Sequence, residues 1–367
     1  MTGAMIRWNP RVMRVRASGA GFTLIEMMVA LAIASVLLVA LTVLFINTSA
    51  ARTETDRASR QIEAGRFALA ELADDIRHAG YYGSIINAPT LPVSVTTLPD
   101  PCSQVVTDIQ NNLGLPVQGY VGGSTAPVTC INAKAGYKPN TAVLVVRRAD
   151  TFNSTASSSP TSGYYQIQTS GCEGDTTAYV VDTDTNTSAY TLHTNTTPGC
   201  TPLTSAPTAL VTPLYTRIYF ISTCSNDDCT ASGADSVPTL KRIDVTPSTT
   251  LSTCDPPTRC TIKSIVDGIE NLQFDYGIDT TASPGDGSPD VYTNTSAHTG
   301  TTPAFTEWPN VMSVRIYLLA RNIDASGVVD TKTYNLGPAG GVTPGGSYRR
   351  HAYSEAVRLV NPSARRE

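Results

Sequence analysis

The sequence GFTLIE occupies residues 21–26 and opens a long hydrophobic segment. From Phe22 to Ile46 the only ionisable side chain is that of Glu26. At 1.5 Å rise per residue, this segment forms a helix of about 37 Å, enough to cross a hydrocarbon core of about 30 Å. The segment therefore predicts a membrane-spanning helix. Its lone carboxylate, which is costly in lipid, marks Glu26 as a candidate functional residue.

The residues before this segment are basic and include no acid. They contain Arg7, Arg11, Arg14 and Arg16. Positive charge on this side is expected to keep the N-terminus in the cytoplasm. A secretory signal peptide is cut after its apolar region, whereas here the small residues 17–21 lie before it. Cleavage at these residues would leave the hydrophobic helix on the mature protein.

This arrangement resembles the leader of type IV prepilins and of the related pseudopilins of type II secretion. In those proteins a prepilin peptidase cuts after the glycine of a G-F-T-L-x-E motif and methylates the new N-terminal phenylalanine. The resemblance implies cleavage between Gly21 and Phe22 and N-methylation of Phe22. It also implies a role in subunit assembly for Glu26, the fifth residue of the mature chain.

The chemistry of a buried carboxylate leads to the same role for Glu26. Among packed transmembrane helices it needs a cationic partner, or it must be protonated. The amine that cleavage exposes on Phe22 of a neighbouring subunit is such a partner, and pairing would set the register of one helix against the next. The alternative is an ordinary signal anchor whose Glu26 extends to the membrane interface. That alternative explains neither the Gly-Phe junction nor the position of the acid.

The composition of the remaining chain is acidic and rich in small polar residues. Loss of residues 1–21 would leave 22 basic and 30 acidic residues, a formal charge of −8, which argues against a general nucleic-acid-binding surface. Threonine, serine, glycine and proline are abundant after residue 80, and long helical patterns are absent there. These features predict a β-rich domain outside the cytoplasm, and about 280 residues suffice for one large core or two packed sheets.

Hydrophobic periodicity divides the chain into a helix and a series of strands. Apolar residues recur at spacings of three, four and seven from Ala58 to Ile76. They predict an amphipathic helix that continues the hydrophobic one, ends at Gly80 and packs on a sheet. Strands are predicted at residues 141–148, 214–222, 240–245, 262–266, 271–277, 311–321 and 353–360. Long surface loops are predicted at residues 151–163, 182–208 and 279–303.

All eight cysteines follow the hydrophobic segment, so they face an oxidising periplasm if the N-terminus is cytoplasmic. They are Cys102, Cys130, Cys172, Cys200, Cys224, Cys229, Cys254 and Cys260. Eight cysteines allow 105 pairings, and the sequence does not decide among them. Their grouping into four sequential couples favours Cys102–Cys130, Cys172–Cys200, Cys224–Cys229 and Cys254–Cys260. The alternative, a zinc site, lacks C-x-x-C spacing and clustered histidines.

Acidic residues surround a glycine turn at Asp279, Asp286 and Asp290. Carboxylates so spaced suit a hard cation such as Ca²⁺, so a structural calcium site is one interpretation. The segment lacks the alternation and the closing glutamate of an EF-hand, and we favour a solvated acidic turn. No other cofactor is expected. The sequence contains no G-x-S-x-G, P-loop, G-x-G-x-x-G or H-E-x-x-H motif, so we expect no enzymatic activity.

The last third of the chain resembles PilW-type minor pilins. The resemblance is carried by residues 265–279 (IVDGIENLQFDYGID), 308–321 (WPNVMSVRIYLLAR) and 349–361 (RRHAYSEAVRLVN). It implies an α+β, type IV pilin-like fold, in which a long N-terminal helix packs on antiparallel β-structure and disulfides staple the head. It also implies a structural function in type IV pilus assembly, within a complex of minor pilins that initiates or caps the pilus and serves twitching motility.

This resemblance sets the expected divisions, location and partners. The divisions are a leader (1–21), a helix (22–79, with 22–46 transmembrane and 47–79 amphipathic), a head (80–361) and a tail (362–367). The protein is expected to cross the inner membrane once, with a periplasmic head, and then to enter the extracellular pilus. Its expected partners are other minor pilins, the major pilin, the inner-membrane assembly platform, prepilin peptidase and a tip adhesin. Two alternatives remain: a J-like minor pseudopilin of type II secretion, and a tip subunit for cell adhesion.

Replacement of Gly21 with tryptophan should block removal of the leader, because the resemblance places the cleaved bond directly after this residue. The measurement is an immunoblot of cell extracts, on which the variant should run at the size of the unprocessed chain. Ser18→Trp, in the same leader, is the matched control and should be processed. Processing of the Gly21 variant at the wild-type rate would refute the assigned cleavage position.

Overall fold

A computed structural model describes residues 21–85, 89, 98–194, 200, 206–248, 260–282, 285–294, 307–327 and 329–366. The chain divides into two compact units, residues 1–56 and residues 57–367. The arginines that the sequence places before the hydrophobic segment lie outside the described residues.

Helix α1 runs from Leu24 to His78. By length and composition it is long and apolar enough to cross a membrane. Its last turn carries Arg77 and His78, whose positive charge suits the negative end of the helix dipole. Gly80 follows with a φ of 74°, a left-handed conformation that glycine adopts without the steric cost of a Cβ. The helix therefore ends where the sequence predicted.

In the part of the chain that the structure describes, two short α-helices follow, α2 (Val106–Asn111) and α3 (Val360–Ala364). Helix α3 and the residue after it lie against the end of α1. Asn361 Nδ2 donates to the Ala79 carbonyl at 3.2 Å, and Arg365 Nη2 donates to the Gly80 carbonyl at 2.8 Å. These donors bind carbonyls of the two residues that directly follow the helix. Residues at the start of the expected tail are thus part of the folded structure.

The described strands form two antiparallel sheets and a short ribbon. The larger sheet contains β1 (Val117–Tyr120), β2 (Val143–Ala149), β3 (Tyr165–Thr169), β4 (Tyr179–Thr183), β5 (Val211–Ser222), β6 (Thr239–Asp244) and β7 (Thr261–Asp267). In it β2 pairs with β1 and β5, β5 also pairs with β3 and β6, and the outer pairs are β3 with β4 and β6 with β7.

The smaller sheet lies later in the chain. It contains β8 (Ile269–Ile278), β9 (Val291–Thr293), β10 (Val311–Arg321) and, after the ribbon of β11 (Tyr334–Asn335) and β12 (Gly341–Val342), β13 (Arg350–Arg358). Among the described strands its order is β13-β10-β8-β9. Strand β10 therefore lies between β13 and β8, with every pair antiparallel.

The predicted α+β fold is confirmed. Each strand predicted from the sequence is present, with ends displaced by at most three residues. The sequence did not indicate β1, β3, β4, β9, β11 or β12, and β9 lies within the predicted loop 279–303. These strands span two to five residues, over which a period of two is hard to recognise.

Strand β2 is buried along its whole length, which explains the apolar run in its first four residues. Leu144 faces a core that includes Leu72 of α1, whereas Val145 faces a second core. Helix α1 also approaches β13 closely at Gly65, where a Cβ would lie 2.3 Å from the Tyr353 ring. Glycine at this position is therefore required by packing, although it weakens the helix by about 1 kcal/mol relative to alanine.

A buried carboxylate joins α1 to the larger sheet. The side chain of Asp75 is 2% exposed, and its Oδ1 accepts from Arg148 Nε at 2.8 Å and from Arg217 Nη1 at 2.5 Å. Its Oδ2 accepts from the Tyr219 hydroxyl at 2.5 Å. Burial alone would raise the pKa of Asp75, but the two guanidinium groups and the Tyr219 hydroxyl outweigh it, and the pKa lies below its usual value.

Arg242 of β6 makes a second polar connection between α1 and the larger sheet. Its Nη1 lies 2.8 Å from Glu71 Oε1 of α1, and its Nε lies 2.8 Å from Asp244 Oδ1. Together Asp75 and Arg242 connect one face of α1 to strands β2, β5 and β6. Because charged groups need specific partners, these contacts also fix the register of the helix on the sheet.

Replacement of Asp75 with alanine should lower the free energy of unfolding by about 3–5 kcal/mol, because it leaves two buried guanidinium groups without their carboxylate. The neighbouring Asp74 is exposed, and Asp74→Ala should change this free energy by about 0.5 kcal/mol or less. Urea unfolding monitored by circular dichroism measures both. Equal effects of the two substitutions would contradict the role assigned to Asp75.

The same carboxylate should make stability depend on pH. A lowered pKa in the folded state adds stability above the unfolded pKa of about 3.9, and this contribution is lost as the pH falls through the folded pKa. The difference in unfolding free energy between wild type and Asp75→Asn should therefore shrink below about pH 4. A difference that stays constant down to pH 2 would contradict ionisation of Asp75.

Candidate functional site

The candidate assembly site lies at the start of α1, where Thr23 precedes the first helical residue. The Thr23 backbone N–H and hydroxyl both donate to Glu26 Oε2 at 2.9 Å. In return the Glu26 N–H donates to Thr23 Oγ1 at 3.3 Å. This reciprocal pattern is a capping box, which satisfies N–H groups that have no intrahelical acceptor. Glu26 therefore stabilises the start of its own helix.

This local role of Glu26 was not among those predicted from the sequence. Its signal is the spacing in Thr-Leu-Ile-Glu, a threonine followed three residues later by a glutamate before an apolar run. The two other predicted residues are accessible: Phe22 is 84% exposed, and a Cβ built on Gly21 meets no atom within 4 Å. Packing among the described residues does not require glycine at position 21.

The apolar part of α1 presents its side chains outward. Large hydrophobic residues between Leu24 and Ile46 are more than half exposed. The hydroxyls of Ser35 and Thr42 donate back to the carbonyls of Ala32 and Leu38 at 2.8 and 2.7 Å, so they need no water. An exposed apolar helix whose polar groups are satisfied internally suits lipid or the apolar faces of other helices.

Three of the four predicted disulfides are present. They are Cys102–Cys130, Cys172–Cys200 and Cys224–Cys229, with Cα–Cα distances of 5.6, 5.5 and 5.6 Å. Cys260 is also disulfide-bonded, whereas Cys254, the partner predicted for it, lies outside the described residues. Each observed bond closes a local segment of the chain and limits its freedom in the unfolded state.

The structure gives the carboxylates of the predicted calcium segment other partners. Asp279 is 1% exposed, and its Oδ2 accepts from the backbone N–H groups of Asp286 and Gly287 at 3.1 Å and from Arg366 Nη1 at 3.1 Å. Burial alone would raise the pKa of Asp279, but a hydrogen bond from the Thr281 N–H to Oδ1, together with those to Oδ2, lowers it. Asp290 Oδ2 accepts from the Thr280 N–H at 2.8 Å.

These contacts make Asp279 a structural anchor for the turn. The turn was expected to be solvated, yet Asp279 is buried and joins it to Arg366 near the C-terminus. Within the described residues, no group of three or more histidine, cysteine, aspartate or glutamate side chains is arranged to hold a metal ion. The sequence showed the carboxylates of this segment but did not show that backbone donors surround Asp279.

Two family models match the chain. Residues 218–361 match the family described as type IV pilus-assembly protein W, and residues 16–42 match the prokaryotic N-terminal methylation motif. The first match extends from β5 to α3, and the second includes Gly21, Phe22 and Glu26. No curated protein matches the chain. No solved structure matches it. The two resemblances noted in the sequence are thus confirmed.

Three substitutions separate the charge of Glu26 from its capping role. Glu26→Gln keeps the capping geometry but removes the charge, Glu26→Ala removes the charge and the two hydrogen bonds to the carboxylate, and Thr23→Val removes the two hydrogen bonds of the hydroxyl while keeping the charge. All three should be cleaved normally. If Glu26 forms the predicted intersubunit ion pair, recovery in sheared pili should fall about tenfold or more for both Glu26 variants and much less for Thr23→Val. Equal recovery of Glu26→Gln and wild type would refute the charge role.

Proposed function

We propose, from the premise that this chain is a PilW-type, prepilin-like protein, that it is a minor pilin which takes part in the assembly of a type IV pilus. In this proposal it joins other minor pilins in the complex that initiates the pilus, and it remains at the tip. The function is structural, and the protein has no enzymatic activity or cofactor.

The observation that carries this proposal is the presence of both family matches in one chain. The methylation motif covers the start of α1, and the PilW match covers the later part of the head, from within β5 to α3. The contacts of Asp75 reach both regions of the head: Tyr219 lies inside the PilW match, whereas Arg148 lies before it. The unmatched strands β1 to β4 thus belong to the same folded unit as the matched ones.

The proposed sequence of events begins in the inner membrane. The chain crosses it once through α1, with its N-terminus in the cytoplasm and its head in the periplasm. Prepilin peptidase removes residues 1–21 and methylates Phe22. On contact with the assembly platform, Glu26 pairs with the N-terminal amine of a neighbouring minor or major pilin. To form this pair, Glu26 must release the N–H and hydroxyl donors of Thr23, or bind the amine through its other carboxylate oxygen, Oε1.

The size of the head supports a position at the tip. A repeating shaft tolerates little extra volume per subunit, whereas a capping subunit has no neighbour above it. The described residues between 80 and 361 form a head with two sheets and with long segments between strands. A head of this size fits a capping subunit better than a shaft subunit. An adhesive role for these segments, together with a tip adhesin as partner, is part of the proposal. Labelled protein spread evenly along the shaft would contradict the tip position.

A second candidate is a J-like minor pseudopilin of a type II secretion system. The specific observation in its favour is the methylation motif, because the sequence resemblance is shared with pseudopilins. The PilW match favours the pilus. The two candidates differ in what the cell loses when the protein is absent.

Deletion of the gene tests the proposal. The same cells are scored for sheared surface pili, for twitching motility and for the secreted proteome, with the wild-type gene restored on a plasmid as the control. Loss of pili with normal secretion is expected. Normal pili with exoproteins trapped in the periplasm would refute the pilus assignment and support the secretion system.

A further inference from the structure

The Cys224–Cys229 disulfide lies directly against a buried lysine. It belongs to the segment that joins β5 to β6, and Lys241 projects beneath it from β6. Lys241 is 0% exposed, and its Nζ lies 3.7 Å from Cys224 Sγ and 3.6 Å from Cys229 Sγ. The ammonium also donates to the backbone carbonyl of Asn226. Both sulfurs are thus in contact with one buried cation.

This cation differs from the buried arginines described above. Arg148 and Arg217 pair directly with a carboxylate, whereas no residue in the described part of the chain forms such a pair with Lys241. Burial lowers the pKa of Lys241 below its usual value, although the carboxylates of Asp227, Asp235, Asp267 and Asp228 act in the opposite direction without pairing with it. The nearest side-chain atoms to this buried ammonium are the two sulfurs. The ammonium would therefore be stabilised most if one of these sulfurs carried a negative charge.

The two cysteine residues differ in exposure. Cys224 is 2% exposed, whereas Cys229 is partly accessible. An external thiolate can therefore reach Cys229, and the sulfur that leaves is Cys224, next to the ammonium. Acceptors for the two reduced thiols are also present: the Asn226 carbonyl lies 3.2 Å from Cys224 Sγ, and the Ala135 carbonyl lies 3.7 Å from Cys229 Sγ. The reduced pair fits this site without new partners.

The length of the closed loop also favours opening of this bond. Cys224 and Cys229 are separated by 5 positions, whereas each of the other two described disulfides spans 28. A cross-link that closes a short loop removes less entropy from the unfolded chain, so its loss costs less stability. Cys102 and Cys130 are both fully buried, which protects their bond from external thiols.

We propose that Cys224–Cys229 is a thiol–disulfide exchange site that reacts with an external dithiol, and that Lys241 makes Cys224 the leaving thiolate. The attacking thiolate bonds to Cys229 Sγ while the Cys224–Cys229 bond breaks, and Cys224 leaves as a thiolate paired with the Lys241 ammonium. The second thiol of the reagent then attacks the mixed disulfide and releases Cys229. The protein pair is reduced by two electrons, and the dithiol becomes a disulfide.

The test is carried out on the full chain in detergent micelles. The protein is equilibrated with mixtures of reduced and oxidised dithiothreitol, free thiols are alkylated under acid quench, and peptide mass spectrometry gives the reduced fraction of each disulfide. In wild type, Cys224–Cys229 should be reduced at a dithiol ratio about tenfold or more below that needed for Cys102–Cys130 and Cys172–Cys200. Reduction of all three at the same ratio would overturn the proposal.

Substitution of Lys241 tests its part in the exchange. Lys241→Met should decrease the equilibrium constant for reduction of Cys224–Cys229 about tenfold and leave Cys102–Cys130 unchanged, whereas Lys241→Arg should retain most of the wild-type value. If Lys241→Met does not fold, the rate of Cys224 alkylation in reduced wild type against pH provides the second measurement. A thiol pKa below the usual value of about 8.5 is expected, and an ordinary value would overturn the role of Lys241.

Discussion

The buried Asp75 carboxylate is the interaction on which the rest of the head depends. It is placed by the last turns of α1, and it accepts hydrogen bonds from two arginines and a tyrosine of the larger sheet. The hydrophobic contacts of Leu72 and Ile76 stabilise the helix on the sheet, but apolar contacts alone allow a helix to slide or rotate. Three donors at fixed positions can bind this carboxylate only when α1 lies in one register on the larger sheet. That register sets the positions of the strands that contact α1.

The last residues of the chain contact distant parts of the head through polar groups. Arg365 caps the end of α1, and Arg366 reaches the buried Asp279. Asn361 contributes a further donor to α1. Residues distant in sequence thus complete the end of the helix and the turn after β8, which makes the C-terminus a structural element of the head.

The sequence predicted those parts of the fold that rest on a long repeating pattern. The apolar run from Phe22 to Ile46 and the periodic stripe up to Ile76 gave the helix, and seven strands were evident from alternation or from continuous apolar runs. Short strands such as β1 and β9 were not predictable, because three or four residues carry no clear period. The three observed disulfides agree with the simplest reading of the cysteine spacing.

Contacts between distant residues could not be predicted. Asp74 and Asp75 are adjacent and chemically identical in the sequence, and only the rotation of α1 decides that Asp75 is buried and Asp74 exposed. Likewise, nothing in the sequence places Lys241 beneath the Cys224–Cys229 bond. The capping box of Thr23 and Glu26 could be predicted from residue spacing alone, but only an intersubunit role was predicted for Glu26.

The most direct test of this account is the chemical state of the N-terminus in protein recovered from sheared pili. Peptide mass spectrometry of the filament fraction should find an N-terminal peptide that begins at Phe22 and carries a methyl group on its amine, with no peptide from residues 1–21. This result would place the processed chain in the pilus. A filament fraction without this protein, or a chain that retains its leader there, would contradict the account.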